Sequence, residues 1–340
     1  MKKITILKYI FLCLMVSHSL LSQITKSKKY KYNFIVAQDG SGDYKTVQEA
    51  FNAVSKLNPE RTVIFVKKGT YKEVITLEAD KNNVVLIGEE ADKVILTYDN
   101  YSSKINPLTG KGYGTSNSSS CFIIGTGFYA KNITFENSSG PVGQALAINI
   151  QGDKAVFVNC KFLGFQDTLY GADCRQYFKD CYIEGSTDFI FGSSTAFFDH
   201  CTLHTKGGSA ITAASTKEHV NFGYVFNNCK ITGTGADITT LGRPWRPYAA
   251  VAFINTEMSD AVKPSGWNNW GKTENESTAR YSEYKSSGRG ANADERVKWM
   301  KILTLDDVKL YSIANVLKTV NANPPVADNW NPNVVIETYK

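Results

Sequence analysis

An internal repeat constrains this chain more than any other feature. It reads Phe157-x-x-Cys160-x-Phe162-x-Gly164, then Phe178-x-x-Cys181-x-Ile183-x-Gly185, Phe198-x-x-Cys201-x-Leu203 and Phe226-x-x-Cys229-x-Ile231-x-Gly233. Successive copies start 21, 20 and 28 residues apart, and a looser copy, Ile133-Thr134-Phe135-Glu136-Asn137, precedes them. A short alternating strand cannot bury its apolar face alone, so copies recurring at this period must stack on one another. The pattern predicts an all-β solenoid.

The repeat phase also places polar side chains. Asp167 lies ten residues after Phe157 and Asp188 ten after Phe178, while Gln166 follows Phe157 by nine and Gln144 follows Phe135 by nine. Equivalent positions on stacked strands sit about 4.7–4.9 Å apart. Two carboxylates and two amides are therefore expected on one face of three successive coils, an arrangement suited to chemistry that develops an oxyanion. Taken singly, an Asp in a turn can simply accept backbone N–H bonds and a Gln can belong to an amide ladder. Coincidence of all four is a poor account of the shared phase.

With 340 residues, 42% of them hydrophobic and 21% charged, the chain reads as one large folded domain. Residues 1–22 read as a signal peptide: a basic start at Lys2 and Lys3, an apolar run over 9–16 and a small residue, Ser22, before Gln23. That run is shorter than the ~20 residues of a spanning helix. The mature chain, 23–340, is thus expected to be exported, whether to the medium, the periplasm or the cell envelope, with no membrane span. Loss of Lys2, Lys3 and Lys8 lowers the formal charge from +6 to +3 (6 − 3), a weak basic balance compatible with an acidic partner. No dense Lys/Arg block or recognition helix points to nucleic acid. No zinc or CxxC spacing appears, so no metal and no cofactor is implied. Of the six cysteines left without Cys13, four (Cys160, Cys181, Cys201 and Cys229) share the repeat phase. A buried thiol ladder is the simplest reading, although export would permit disulfides.

Outside the repeat, segment 46–57 has helical spacing and is expected to cap the N-terminal end of the solenoid. Segments 62–66 and 83–88 read as buried strands. The Ser-, Gly- and Asn-rich stretch 101–120 reads as an exposed loop, and the region after Trp270 as an irregular tail with a helix over 305–320.

Five motifs resemble those of the pectin methylesterases: Gly69-Thr70-Tyr71-x-Glu73, Gln144-Ala145-Leu146-Ala147-Ile148, Gly164-Phe165-Gln166-Asp167-Thr168-Leu169-Tyr170, Asp188-Phe189-Ile190-Phe191-Gly192 and Leu241-Gly242-Arg243-Pro244-Trp245. They stand in the family's order, and the likeness runs from about Phe34 to past Trp299. The resemblance implies a right-handed parallel β-helix and hydrolysis of galacturonate methyl esters in pectin by a monomer. It also implies roles: Asp188 as nucleophile, Asp167 as acid and base, Gln144 and Gln166 as oxyanion donors, and Arg243 as the cation that orients Asp188. Trp245 and Trp267 would offer faces to sugar rings, Phe165 and Tyr170 would flank the site, and Thr115 would reach substrate from the loop. Two features depart from the family: Ser186-Thr187 precedes Asp188, and Gly143 replaces the usual His. Carboxylate spacing by itself also fits a retaining glycoside hydrolase on the same solenoid. The remaining alternatives are an esterase for non-pectic acyl groups and a non-catalytic carbohydrate-binding β-helix, which would have no use for both aspartates.

Overall fold

Each copy of the repeat folds into one coil of three short strands. The copies stack into three parallel sheets: sheet A with eleven strands from Phe34–Val36 to Lys301–Ile302, sheet B with eight and sheet C with seven. This is a parallel β-helix, seen in a computed structural model that describes residues 31–322, 324 and 326–340. Tyr32–Lys340 form one unit. The expected signal peptide lies outside the described residues. No helix among the described residues is long and apolar enough to cross a membrane.

The repeat Phe residues pair in register along sheet A, Phe157 with Phe178, Phe178 with Phe198 and Phe198 with Phe226. Their rings stack inside the coil at 5.0, 4.6 and 4.5 Å between centroids, and Phe253 extends the pile at 4.4 Å. The 28-residue spacing arises because the stretch 215–223, between Ala210–Ala214 and Tyr224–Asn227, is longer than its counterparts, which leaves the sheet register intact. Cys160, Cys181, Cys201 and Cys229 are buried free thiols, as are Cys121 and Cys174. Phe198→Ala should remove a ring held between two others and cost about 3–5 kcal/mol of stability, measurable by denaturant unfolding.

From Tyr129–Lys131 to Ala250–Ile254, each turn from sheet A to sheet B is two residues long, and its first residue takes the left-handed backbone conformation. Asn132, Asn159, Asp180, His200, Asn228 and Asn255 occupy this place, with φ between 49° and 57°. Asn, Asp and His enter that region more readily than other side chains, which explains the residue before each repeat Cys. Connections from sheet B to sheet C differ greatly in length, from two residues to the 22 of 99–120.

A helix, Val47–Ala53, covers the N-terminal end. It is shorter than expected because Val54 turns extended (ψ 133°). Thr46 and Glu49 form its capping box. The helix expected over 305–320 is two: Leu305–Lys309 and Ile313–Leu317, followed by a strand at Thr319–Val320. Ser312 divides them, because its extended backbone (ψ 151°) breaks the helix while its side chain accepts from Asn315 N and starts the next.

Candidate active site

The B-to-C turns carry the polar residues singled out by phase. Backbone bonds lock these turns to one another: Ala145 N donates to Gln166 O (3.1 Å), Asp167 N to Thr187 O (3.0 Å) and Asp188 N to Ala210 O (2.7 Å). Gln144 and Gln166 form a parallel bridge. Asp167 and Asp188 both adopt left-handed φ (66° and 51°), the conformation that lets a turn this tight aim its side chain outward. Gly185, just before Asp188's turn, has no room for a side chain, since a Cβ there would lie 2.2 Å from Phe189 Cβ and 2.5 Å from Phe165 O.

Beside these turns lies a cleft of about 340 Å³ lined by Gln144, Gln166, Asp167, Asp188 and Arg243 among others. Its floor is one ladder of outward-facing residues on sheet C, in register from Tyr170 through Phe191 and Ala213 to Arg243. Tyr170 and Phe191 touch at 5.0 Å, and Trp245 meets Phe191 at 6.0 Å.

The two carboxylates have unlike surroundings. Asp188 is gripped by Arg243 in a two-pronged pair, Nε to Oδ1 at 2.9 Å and Nη2 to Oδ2 at 2.6 Å. Burial raises its carboxyl above the ordinary value, a shift that the Arg243 hydrogen bonds and charge offset only in part. Asp167 has no such chelating partner. Burial first, then the charge of Asp188, pushes it up to about 8, against a weaker pull from Arg243. The two acids are thus unequal: Asp188 is paired with a cation, while Asp167, without one, is pushed far above the ordinary carboxyl range. Arg243 is itself fixed from above, with its guanidinium carbon 3.8 Å from the Trp270 ring centroid.

Gln144, Gln166, Asp167, Asp188, Arg243, Tyr170, Trp245 and Thr115 all line this cleft. Trp267 does not: it is 2% exposed in the main core, 4.4 Å from Tyr281, with its Nε1 donating to Glu283 Oε1. The expectation of a sugar-facing Trp267 is corrected on that ground, and Trp270 is the second indole at the cleft. Phe165 is not among the lining residues, and the Lys206 ammonium lies 4.2 Å from its ring centroid. Sequence reasoning missed Phe191, Ser116 and Trp270. Phe191 was legible, since it alternates with the buried Ile190 on one strand. Trp270 was not, because a local turn aims it, with φ 64° and its N–H bound to Asn268 Oδ1.

A parallel β-helix bearing paired carboxylates, two cleft amides and an Arg-clamped Asp belongs to the class of carboxylic ester hydrolases built on this solenoid. The Pectinesterase family model matches residues 33–319. Pectinesterase 31 of Arabidopsis thaliana is 44% identical over 278 residues, covering 80% of this chain and 88% of that protein. The chain spans about half the length of further relatives described as pectinesterase/pectinesterase inhibitors. Among solved structures, the pectin methylesterase from carrot superposes with a TM-score of 0.80 at 31% identity, over 86% of this chain and 95% of that one. A pectin methylesterase in complex with a hexasaccharide gives 0.75 at 27%, over 89% and 99%. The chain belongs to the pectinesterase family and is a carboxylic ester hydrolase of the pectinesterase type.

Proposed function

We propose that the cleft demethylates galacturonate methyl esters of pectin through a covalent acyl-enzyme. Asp188, ionised against Arg243, attacks the ester carbonyl carbon. The carbonyl oxygen becomes an oxyanion that accepts hydrogen bonds from the Gln144 and Gln166 side-chain amides. As the intermediate collapses, the C–O bond to methanol breaks and Asp167 delivers its proton to the departing oxygen. Water then attacks the acyl-enzyme and loses one proton to Asp167, the bond to Asp188 breaks to free that carboxylate, and the galacturonic acid formed gives its own proton to solvent. Both carboxyl groups end as they began.

The observation that carries this reading is the inequality of the two acids. A nucleophile must be charged and a proton donor neutral, and the bidentate Arg243 contact on Asp188 with the raised Asp167 supplies that division. Tyr170, Trp245 and Trp270 around the cleft supply flat faces for pyranose rings. Family membership and the apolar run before Ser22 together support an exported enzyme that meets polymeric pectin outside the cytoplasm and acts as a monomer.

The deciding experiment measures methanol and reducing ends together on highly methylated pectin. Methanol without new reducing ends is expected, and the reverse would make the protein a glycosidase. Gln166→Ala should lower kcat about 10²–10³-fold with little change in polymer binding, because the lost donor acts chiefly on the oxyanion. Weakened binding at unchanged kcat would instead make Gln166 a substrate-positioning group.

A further inference from the structure

The cleft wall opposite the Trp245 end comes from the 99–120 connection, whose short helical turn Thr115–Asn117 places Thr115 and Ser116 beside Gln144. Side-chain bonds within the stretch, such as Asn117 Nδ2 to Tyr113 O (3.1 Å) and Ser118 Oγ to Thr115 O (2.8 Å), shape its local turns but do not tie the wall to the coils below. Two buried asparagines beneath it do so instead. Asn149 is 1% exposed and pairs in register with Tyr170 at the edge of the cleft floor, without lining the cavity itself. Its Nδ2 donates upward to Ser116 O at 3.1 Å, and its Oδ1 accepts from Gln151 Nε2 at 3.2 Å. Asn137, 4% exposed, directs its Nδ2 at three carbonyls: Asn100 O (2.9 Å), Leu146 O (3.0 Å) and Ser118 O (3.2 Å). Two of these belong to the loop and the third to the strand approach that carries Gln144. Backbone bonds complete the tie, Ser102 N to Gln144 O and Ser120 N to Leu146 O, both at 2.9 Å.

We propose that Asn149 and Asn137 are positioning residues for the esterase reaction, each with a distinct object. Asn149 fixes the Thr115–Ser116 wall against which the polymer lies. Asn137 fixes the same loop and, through Leu146, the backbone that aims the Gln144 amide at the oxyanion. An amide side chain suits this task. It satisfies carbonyls without adding charge, and apolar replacement at Asn137 strands the acceptors of the buried residues Asn100, Ser118 and Leu146. The inference rests on the esterase reading for its kinetic consequences and on loop geometry alone for its structural ones.

The test uses Asn149→Leu and Asn149→Ser, the second being too short to reach Ser116 and a safeguard if the first folds poorly, together with Asn137→Ser. Methanol release from highly methylated pectin is followed alongside backbone hydrogen exchange of each folded protein. The Asn149 variants should raise KM for pectin about tenfold with kcat within about twofold, a loss of uniform binding. Asn137→Ser should lower kcat as well, by about tenfold or more. Amides of Gly114 and Ser118 should exchange faster in all variants, and that of Ser120 in the Asn137 variant only, while sheet A amides keep their protection. Equal loss of kcat and KM effects in the two sets, or unchanged exchange in the loop, would overturn the assignment. Were the unmutated enzyme to release no methanol, the esterase reading would fall, and the exchange results alone would then support or overturn the clamp.

Discussion

Asp188→Asn is expected to abolish methanol release, with a loss of about 10⁴–10⁶-fold, the scale seen when a covalent nucleophile is removed. The amide cannot attack the ester and cannot form the charged two-pronged pair with Arg243, so the cation loses its partner inside a cleft that burial has made costly for unpaired charge. Asp167→Asn should behave differently. It leaves the nucleophile and its arginine in place and withdraws only the proton donor. Methanol is a poor leaving group and needs that proton, whereas an activated aryl alcohol leaves without it. On a small aryl ester that enters the cleft, Asp167→Asn is therefore expected to retain a measurable burst of released alcohol, and Asp188→Asn none. The opposite ranking would exchange the two roles.

The second large effect is on pH. Asp167, pushed up to about 8, carries its proton through neutrality. Acylation requires that proton, so kcat/KM on pectin should fall tenfold per unit as pH rises beyond about 8. Asp167→Asn should flatten that limb. Stability must follow the same group with a definite sign. In the unfolded chain Asp167 ionises near its ordinary 3.8, whereas in the fold it stays protonated to about 8. The unfolded state therefore loses the proton first, and stability present below pH 4 declines as pH climbs toward 8, then levels off. Asp167→Asn carries no such liability. It should melt higher than the parent at pH 7, by an amount corresponding to a few kcal/mol, and the advantage should vanish near pH 3. A variant that is no more stable at pH 7 would mean that Asp167 is already ionised there, and the acid role would fall with it.

Much of this architecture was legible in the chain because stacking demands the same residue type at the same phase. Phe157, Phe178, Phe198 and Phe226 must fill one interior column, and Asp167 and Asp188 inherit their adjacency from that column. The candidate cluster of two carboxylates and two amides was read by counting along the repeat. What escaped counting was set by local turns and by tertiary packing. Trp267 and Trp270 are three residues apart, and no periodicity distinguishes them. The bridge between Gly242 and Trp267 draws the first into the core, and a left-handed turn swings the second over Arg243. The tail beyond Ile302 lies outside the stacked coils, where caps such as Ser312 override a helical pattern that looked continuous.

The unequal treatment of the coil's corners has a consequence for how such a molecule can be altered. From Tyr129–Lys131 to Ala250–Ile254 the corner between sheets A and B admits two residues, the first left-handed, six times over: five times an Asn or Asp and once His200. A residue added there would shift every rung above it out of phase with the rung below. The corner between sheets B and C has no fixed length, and Gln144, Gln166, Asp167, Asp188 and the 99–120 wall all project from it. One side of the scaffold is thus a ruler and the other a workbench. Segments could be transplanted onto the latter, between one family member and another, to retune which polymers the enzyme accepts while the aromatic column that holds the molecule together goes untouched.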